Sequence, residues 1–197
     1  MKKSLEESVI KKIQMAILLY ELGKDCFRIV EDIENISVGI ILLQDSVEIF
    51  LSAVCEHLDI PMTGNENFYN YISGIEKGKK EMLPLKKQII TLNKQRVNIK
   101  HYCLLPNIEE CKNFVYDVRL FFSELSSRYL NRDVDSISLV NLIEDEKIKN
   151  YLKEAEKNFE KCRYKNCQID CRKALYFAFE KIYDIRYVKG RSSLEDI

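Results

Sequence analysis

Apolar residues recur at intervals of three and four along most of the chain, the period of an amphipathic helix. From Ser4 to about Asn35 the series runs Leu5, Val9, Ile13, Ala16, Ile17 and Tyr20, then Phe27 and Val30. Ser4 and Glu7 stand at capping-box spacing at its start. Gly23 either divides this stretch or is tolerated inside it. A second helix is predicted from about Ser37 to Leu58, with Ile40, Leu43, Val47, Phe50, Leu51, Val54 and Leu58 on one stripe. Its first turns are apolar all round, which places it centrally. Asp59-Ile60-Pro61 ends it.

The pattern then loosens. Pro61 to Asn67 reads as a loop, Phe68 to Ile75 as a short helix and Gly74 to Lys80 as a polar turn. A third main helix is predicted from about Pro84 to Lys100, marked by Leu85, Ile89, Leu92 and Ile99, with His101 at its end. Leu104-Leu105-Pro106-Asn107 makes the next turn. The fourth runs from about Ile108 to Leu130 on Cys111, Val115, Val118, Phe122 and Leu125. The polar NRDVDS of Asn131 to Ser136 breaks the period and suggests two parts, residues 1–131 and 132–197. Past Ile137 to Glu144, the second part reads as an αα-hairpin. Its helices span about Asp145 to Lys161 and Tyr164 to Tyr187, with Ala155, Ala174 and Ala178 allowing close approach. One hairpin cannot bury its own apolar face, so it is expected either to dock on the preceding bundle or to be the start of a truncated second module. The expected fold is all-α, an up-and-down bundle of four to five main helices followed by a C-terminal helical hairpin.

Composition narrows the class. With 46% hydrophobic and 31% charged residues but only 6 Gly and 3 Pro in 197 residues, the chain favours helix over hairpin-rich β structure. Its 31 basic and 31 acidic residues cancel, so nucleic-acid binding must rest on a local patch. The seven cysteines are odd in number and mostly embedded in helical patterns, which suits reduced thiols in a cytoplasmic protein. Glu6, Glu7, Lys11 and Lys12 interrupt any signal-peptide core, and the strongly apolar stretch Val38 to Leu43 is too short for a membrane span. No membrane contact is expected.

The candidate chemistry lies in TLNKQRVNIKH, where Arg96 and His101 are separated by four residues near a helix end. Five helical positions turn by about 140° around the axis, so the two converge only if the helix end unwinds or both reach into one groove. Imidazole can exchange a proton near neutral pH, and such general acid–base help contributes about 10²–10⁴-fold. The arginine fork fits phosphate oxygens bidentately. The spacing by itself occurs in many helical proteins and carries no function.

The surroundings say more. LNKQRVNIKHYCLLPN resembles the catalytic-motif segment of uncharacterised prokaryotic members of the HEPN superfamily: Leu-Asn precedes the arginine, Lys-His closes the motif and a Pro turn follows. The QDSVEIFL of the second helix is similar to the partner helix in such proteins, and the resemblance covers roughly residues 5–130. It implies a metal-independent endoribonuclease in which the 2′-OH of RNA attacks the adjacent phosphate, leaving a 2′,3′-cyclic phosphate. Carried over, His101 would be the general acid or base and Arg96 would stabilise the phosphorane. No cofactor or metal is implied. Such domains pair as two-fold dimers whose motifs meet in one cleft, so a homodimer through the bundle is expected. A toxin or defence effector follows, with RNA as substrate and a further protein partner or antitoxin. One departure stands out: the residue after the motif arginine is commonly polar, often Asn, and here it is Val97. Either Asn98 substitutes for it, or only the fold survives as an inactive module for dimerisation or partner binding.

Supporting residues follow from the same pattern. Asp45 and Glu48, three apart on the second helix, could orient Arg96 or simply edge an amphipathic helix. Lys100 adds charge beside His101. Between Lys77 and His101 stand eight Lys or Arg against the single acid Glu81. This basic run, with Lys86, Lys87 and Lys94 as the candidate RNA contacts, could track a phosphate backbone or be a solvated face. Tyr102 could stack on a base or pack. Cys162, Cys167 and Cys171 lack an evident fourth ligand, so they read as small apolar residues rather than a zinc site. His57 reads as structural.

Overall fold

Helix boundaries follow capping chemistry more closely than the apolar period does. The structure is a computed structural model that describes residues 5–28, 32–62 and 67–180. Helix α1, Glu7–Asp25, starts after Glu6, which provides no side-chain cap. The helix ends at Asp25, short of the predicted limit near Asn35. Helix α2, Ile33–His57, begins four residues before the expected Ser37, because the Asp32 side chain accepts a hydrogen bond from the Asn35 N–H. Ser4, Val30 and the far end of the predicted final helix lie outside the described residues.

Gly23 does not divide α1. It meets Gly39 of α2 where the two helices cross: a Cβ on Gly39 would lie 2.6 Å from the Phe27 ring and 3.0 Å from the Gly23 carbonyl. The two glycines thus let α1 and α2 pack along their length, the most extensive helix pair in the first unit. α2 also packs against α3 (Phe68–Lys79), α4 (Lys86–Tyr102) and α6 (Phe114–Leu125). Of the predicted stripe, Ile40, Leu43, Val47, Phe50, Leu51 and Val54 are fully buried, while Leu58, the C-cap residue, is half-buried. Phe50 stacks on Phe122 of α6 with ring centroids 4.3 Å apart. α2 is apolar over a longer stretch than Val38 to Leu43. An 18-residue window in it has mean hydropathy 1.8, and 61% of that window is buried inside the protein. Its length and apolarity would suffice to cross a membrane, yet here they form the core against four helices.

Two further expectations are corrected. α3 runs to Lys79, so Gly74–Lys79 is helix and not a polar turn; Lys80 then turns left-handed at φ 57°. The predicted helix from Ile108 to Leu130 is broken into α5 (Ile108–Cys111) and α6, with a π-helical turn over Ser126–Leu130. Asn107 caps α5 by accepting from the Glu109 N–H. Every element among the described residues is helical.

Two compact units result, Met1–Ser138 and Leu139–Ile197. The segment past Asn131 belongs to the first: Val134 is buried, Arg119 pairs with Asp135, and Gln14 donates to the Ser138 carbonyl. The second unit is a helical hairpin of α7 (Glu146–Glu160) and α8 (Tyr164–Leu175), capped by Asp145 and reversed at Cys162. Within it, Tyr151 stacks on Phe177 and Lys147 lies 3.7 Å from the Phe177 ring centre. Ala155 and Ala174 are its buried residues among those described, as close helix approach requires, while Phe159, Tyr164 and Phe179 stay exposed.

Candidate functional site

α4 is positioned by the connection that precedes it. Glu76 of α3 accepts from the Leu83 N–H at 3.1 Å and from Lys86 Nζ at 2.7 Å. Burial pushes the Glu76 carboxyl up, but those two hydrogen bonds outweigh it and hold it below the ordinary carboxylate value. The far end of α4 closes in a Schellman reversal: Leu104 N–H donates to the Asn98 carbonyl at 3.2 Å, and Cys103 N–H to Ile99 at 3.1 Å. Cys103 takes the left-handed position at φ 53° that glycine usually fills.

The helix between these anchors is regular through Tyr102. It therefore carries Arg96 and His101 about 140° apart around the axis and about 7.5 Å apart along it. The helix end does not unwind, and the two side chains do not share a groove. Arg96 turns towards α2, its side chain 18% exposed, and its Nη2 donates to Asp45 Oδ1 at 3.4 Å. That contact is long, and the buried Arg96 Nε has no partner among the described residues. His101 is exposed, with no hydrogen-bond or ion-pair partner among the described residues.

Arg96 forms one wall of an open groove of about 650 Å³. α2 contributes Asp45, Glu48, Ile49 and Ser52; α1 adds Lys11, Lys12, Met15 and Leu19, and α3 adds Tyr71. Lys12 Nζ reaches Ser52 Oγ at 3.1 Å and Glu56 at 2.6 Å. Hydrogen bonds from Lys12, then Ser8, hold the Glu56 carboxyl below its ordinary value. Asp45 and Glu48 are thus brought to Arg96's groove, as their spacing on α2 allowed. The pattern gave no such role to Lys11, Lys12, Ser52 or Tyr71. Their one visible signal was that Lys12 stands three and seven residues before Met15 and Leu19, at the edge of an apolar stripe.

The remaining candidates separate. Lys87, Lys94, Lys100 and Tyr102 are exposed on α4, Tyr102 to 66%. Asn98 is half-buried, and its carbonyl serves the helix end. Lys86, half-buried and tied to Glu76, anchors the α3–α4 connection. His57 is buried at the end of α2. No cluster of three metal-ligating side chains occurs among the described residues. The Cys111 thiol, raised to about 11 by burial and then by the nearby Glu110 charge, is poorly nucleophilic. Against known protein families, curated proteins and solved structures, the chain finds no match.

Proposed function

We propose that this chain is a metal-independent endoribonuclease of the HEPN type, acting as a toxin or defence effector, whose active site is completed by a second copy. The supporting observation is the state of Arg96. Its guanidinium is largely desolvated, incompletely paired and open to a groove, so a phosphate oxygen could take up the donors that Asp45 leaves unused. Asp45 orients the fork without saturating it.

His101, exposed on the same helix, supplies the proton chemistry. The 2′-oxygen bonds to phosphorus while the P–O5′ bond breaks. His101 of one copy takes the 2′-OH proton, water protonates the departing 5′-oxygen, and Arg96 of the other copy carries the charge that builds on the phosphorane. Because Arg96 and His101 of one chain point apart, a site with both groups needs two copies of α4 facing each other. Lys94 and Lys100, exposed on α4, hold the flanking backbone, so binding weakens with salt. The test is incubation with RNA in chelator. The reading requires products ending in 2′,3′-cyclic phosphate, and their absence with every RNA tried would remove it.

Two observations favour a second reading. His101 stands outside Arg96's groove and Val97 replaces the usual polar residue, which suits a catalytically inactive helical module that dimerises or docks a protein. Such a module would self-associate or bind its partner and leave RNA intact.

A further inference from the structure

Beside Arg96, the groove carries a carboxylate with no counterion among the described residues. Glu48 is half-buried on α2, and its Oε2 accepts from Nε2 of the buried Gln44 at 2.9 Å. Among the described residues no cation pairs with it, whereas Asp45 is engaged by Arg96 and Glu56 by Lys12. A carboxylate offers acceptors only. Around it lie the apolar surfaces of Met15, Leu19 and Ile49 and the ring of Tyr71, in a space of about 650 Å³, within the usual range for small-molecule sites.

A ligand matched to this surface has a flat apolar body and adjacent N–H donors on one edge. Guanine alone among the RNA bases presents two such donors side by side, its ring N1–H and its 2-amino group, at the spacing of two carboxylate oxygens. Adenine and cytosine place an acceptor beside their amino group, which a carboxylate repels. Uracil has a single N–H between two carbonyls. We infer that the groove is a guanine-recognition subsite: Glu48 takes the Watson–Crick edge of an unstacked guanine, and Ile49, Leu19 and Tyr71 cover its faces. The inference rests on the ribonuclease reading only for the neighbouring phosphate on Arg96; the base contact stands on Glu48 and its walls.

The experiment is titration of the full chain with guanosine, inosine and adenosine 3′-monophosphates, followed by calorimetry and by methyl chemical shifts of Ile49 and Leu19. Guanosine should bind about 10- to 100-fold tighter than adenosine, with inosine, which lacks the 2-amino group, between them. Glu48→Gln, checked for an unchanged thermal midpoint, should erase the preference. Equal affinity for guanosine and adenosine, or no binding of any of the three, overturns the inference, and neither outcome depends on the variant. RNA cleavage without guanine preference would overturn it and leave the ribonuclease reading standing. Guanosine binding by a protein that cleaves no RNA would do the reverse.

Discussion

At the scale of residues, backbone strain and thiol chemistry give the sharpest expectations. Cys103 holds a left-handed conformation at the end of α4 that costs a side-chain-bearing residue about 1 kcal/mol, and its side chain is exposed. Cys103→Gly should therefore raise unfolding stability by about 0.5–1 kcal/mol, measured by denaturant titration. No gain would mean that the side chain makes compensating contacts. A thiol reagent at mildly alkaline pH should modify Cys103 and Cys162 in the folded protein and spare Cys111, which is 1% exposed with its thiol raised to about 11. Mass spectrometry of the labelled peptides reads this directly, and early labelling of Cys111 would show the α5 region to be open. The residue types at the site were legible in the sequence. Their directions were not, since Arg96's turn towards Asp45 depends on how α4 packs against α2.

At the scale of elements, the crossing of α1 and α2 reverses the usual effect of a helical glycine. Replacing a mid-helix Gly by Ala ordinarily stabilises by about 1 kcal/mol. At Gly39 the added methyl would meet the Phe27 ring, Cys26 Cβ and the Gly23 carbonyl at 2.6–3.0 Å. Gly39→Ala should thus destabilise by about 1–3 kcal/mol, seen as a lower thermal midpoint. A stabilising outcome would show that the crossing relaxes freely.

Glu76 gives α3 and α4 a pH dependence. Its folded pKa lies below its ordinary 4.5, so its contribution is complete above that value and is lost as pH falls through the folded pKa. The thermal midpoint should therefore drop as the pH falls below about 4.5, and Glu76→Gln should flatten that part of the profile. An unchanged profile in the variant would assign the acid sensitivity elsewhere. The helices themselves were legible wherever the apolar stripe was long, as in α2. Their ends were not, because Asp32 and Asn107 act through short-range capping and Asn98 through its carbonyl, all of which leave the period untouched.

At the scale of the whole molecule, the apolar core closes within Met1–Ser138, around α2 and the stacked Phe50 and Phe122. A chain cut after Ser138 should keep its helical signal and unfold in one cooperative transition, as monitored by circular dichroism. A broad transition would show that the hairpin is part of the same folding unit. Phe122→Ala should cost either form about 3–5 kcal/mol. The two-part organisation was visible in the polar break at NRDVDS. Its placement was less so, because Val134 is an isolated apolar residue in that polar run, and its burial depends on tertiary packing. In the proposed ribonuclease, Arg96 and His101 point apart on one helix, so a complete site would form only between two copies. That proposal is tested most directly by RNA cleavage in chelator with wild type, Arg96→Ala, His101→Ala and an equimolar mixture of the two variants allowed to exchange subunits. Wild type should yield 2′,3′-cyclic phosphate ends, each variant should lose about 10²–10⁴-fold, and the mixture should recover activity that neither variant has alone. Cleavage undiminished in both variants, or a mixture no more active than its parts, would contradict it.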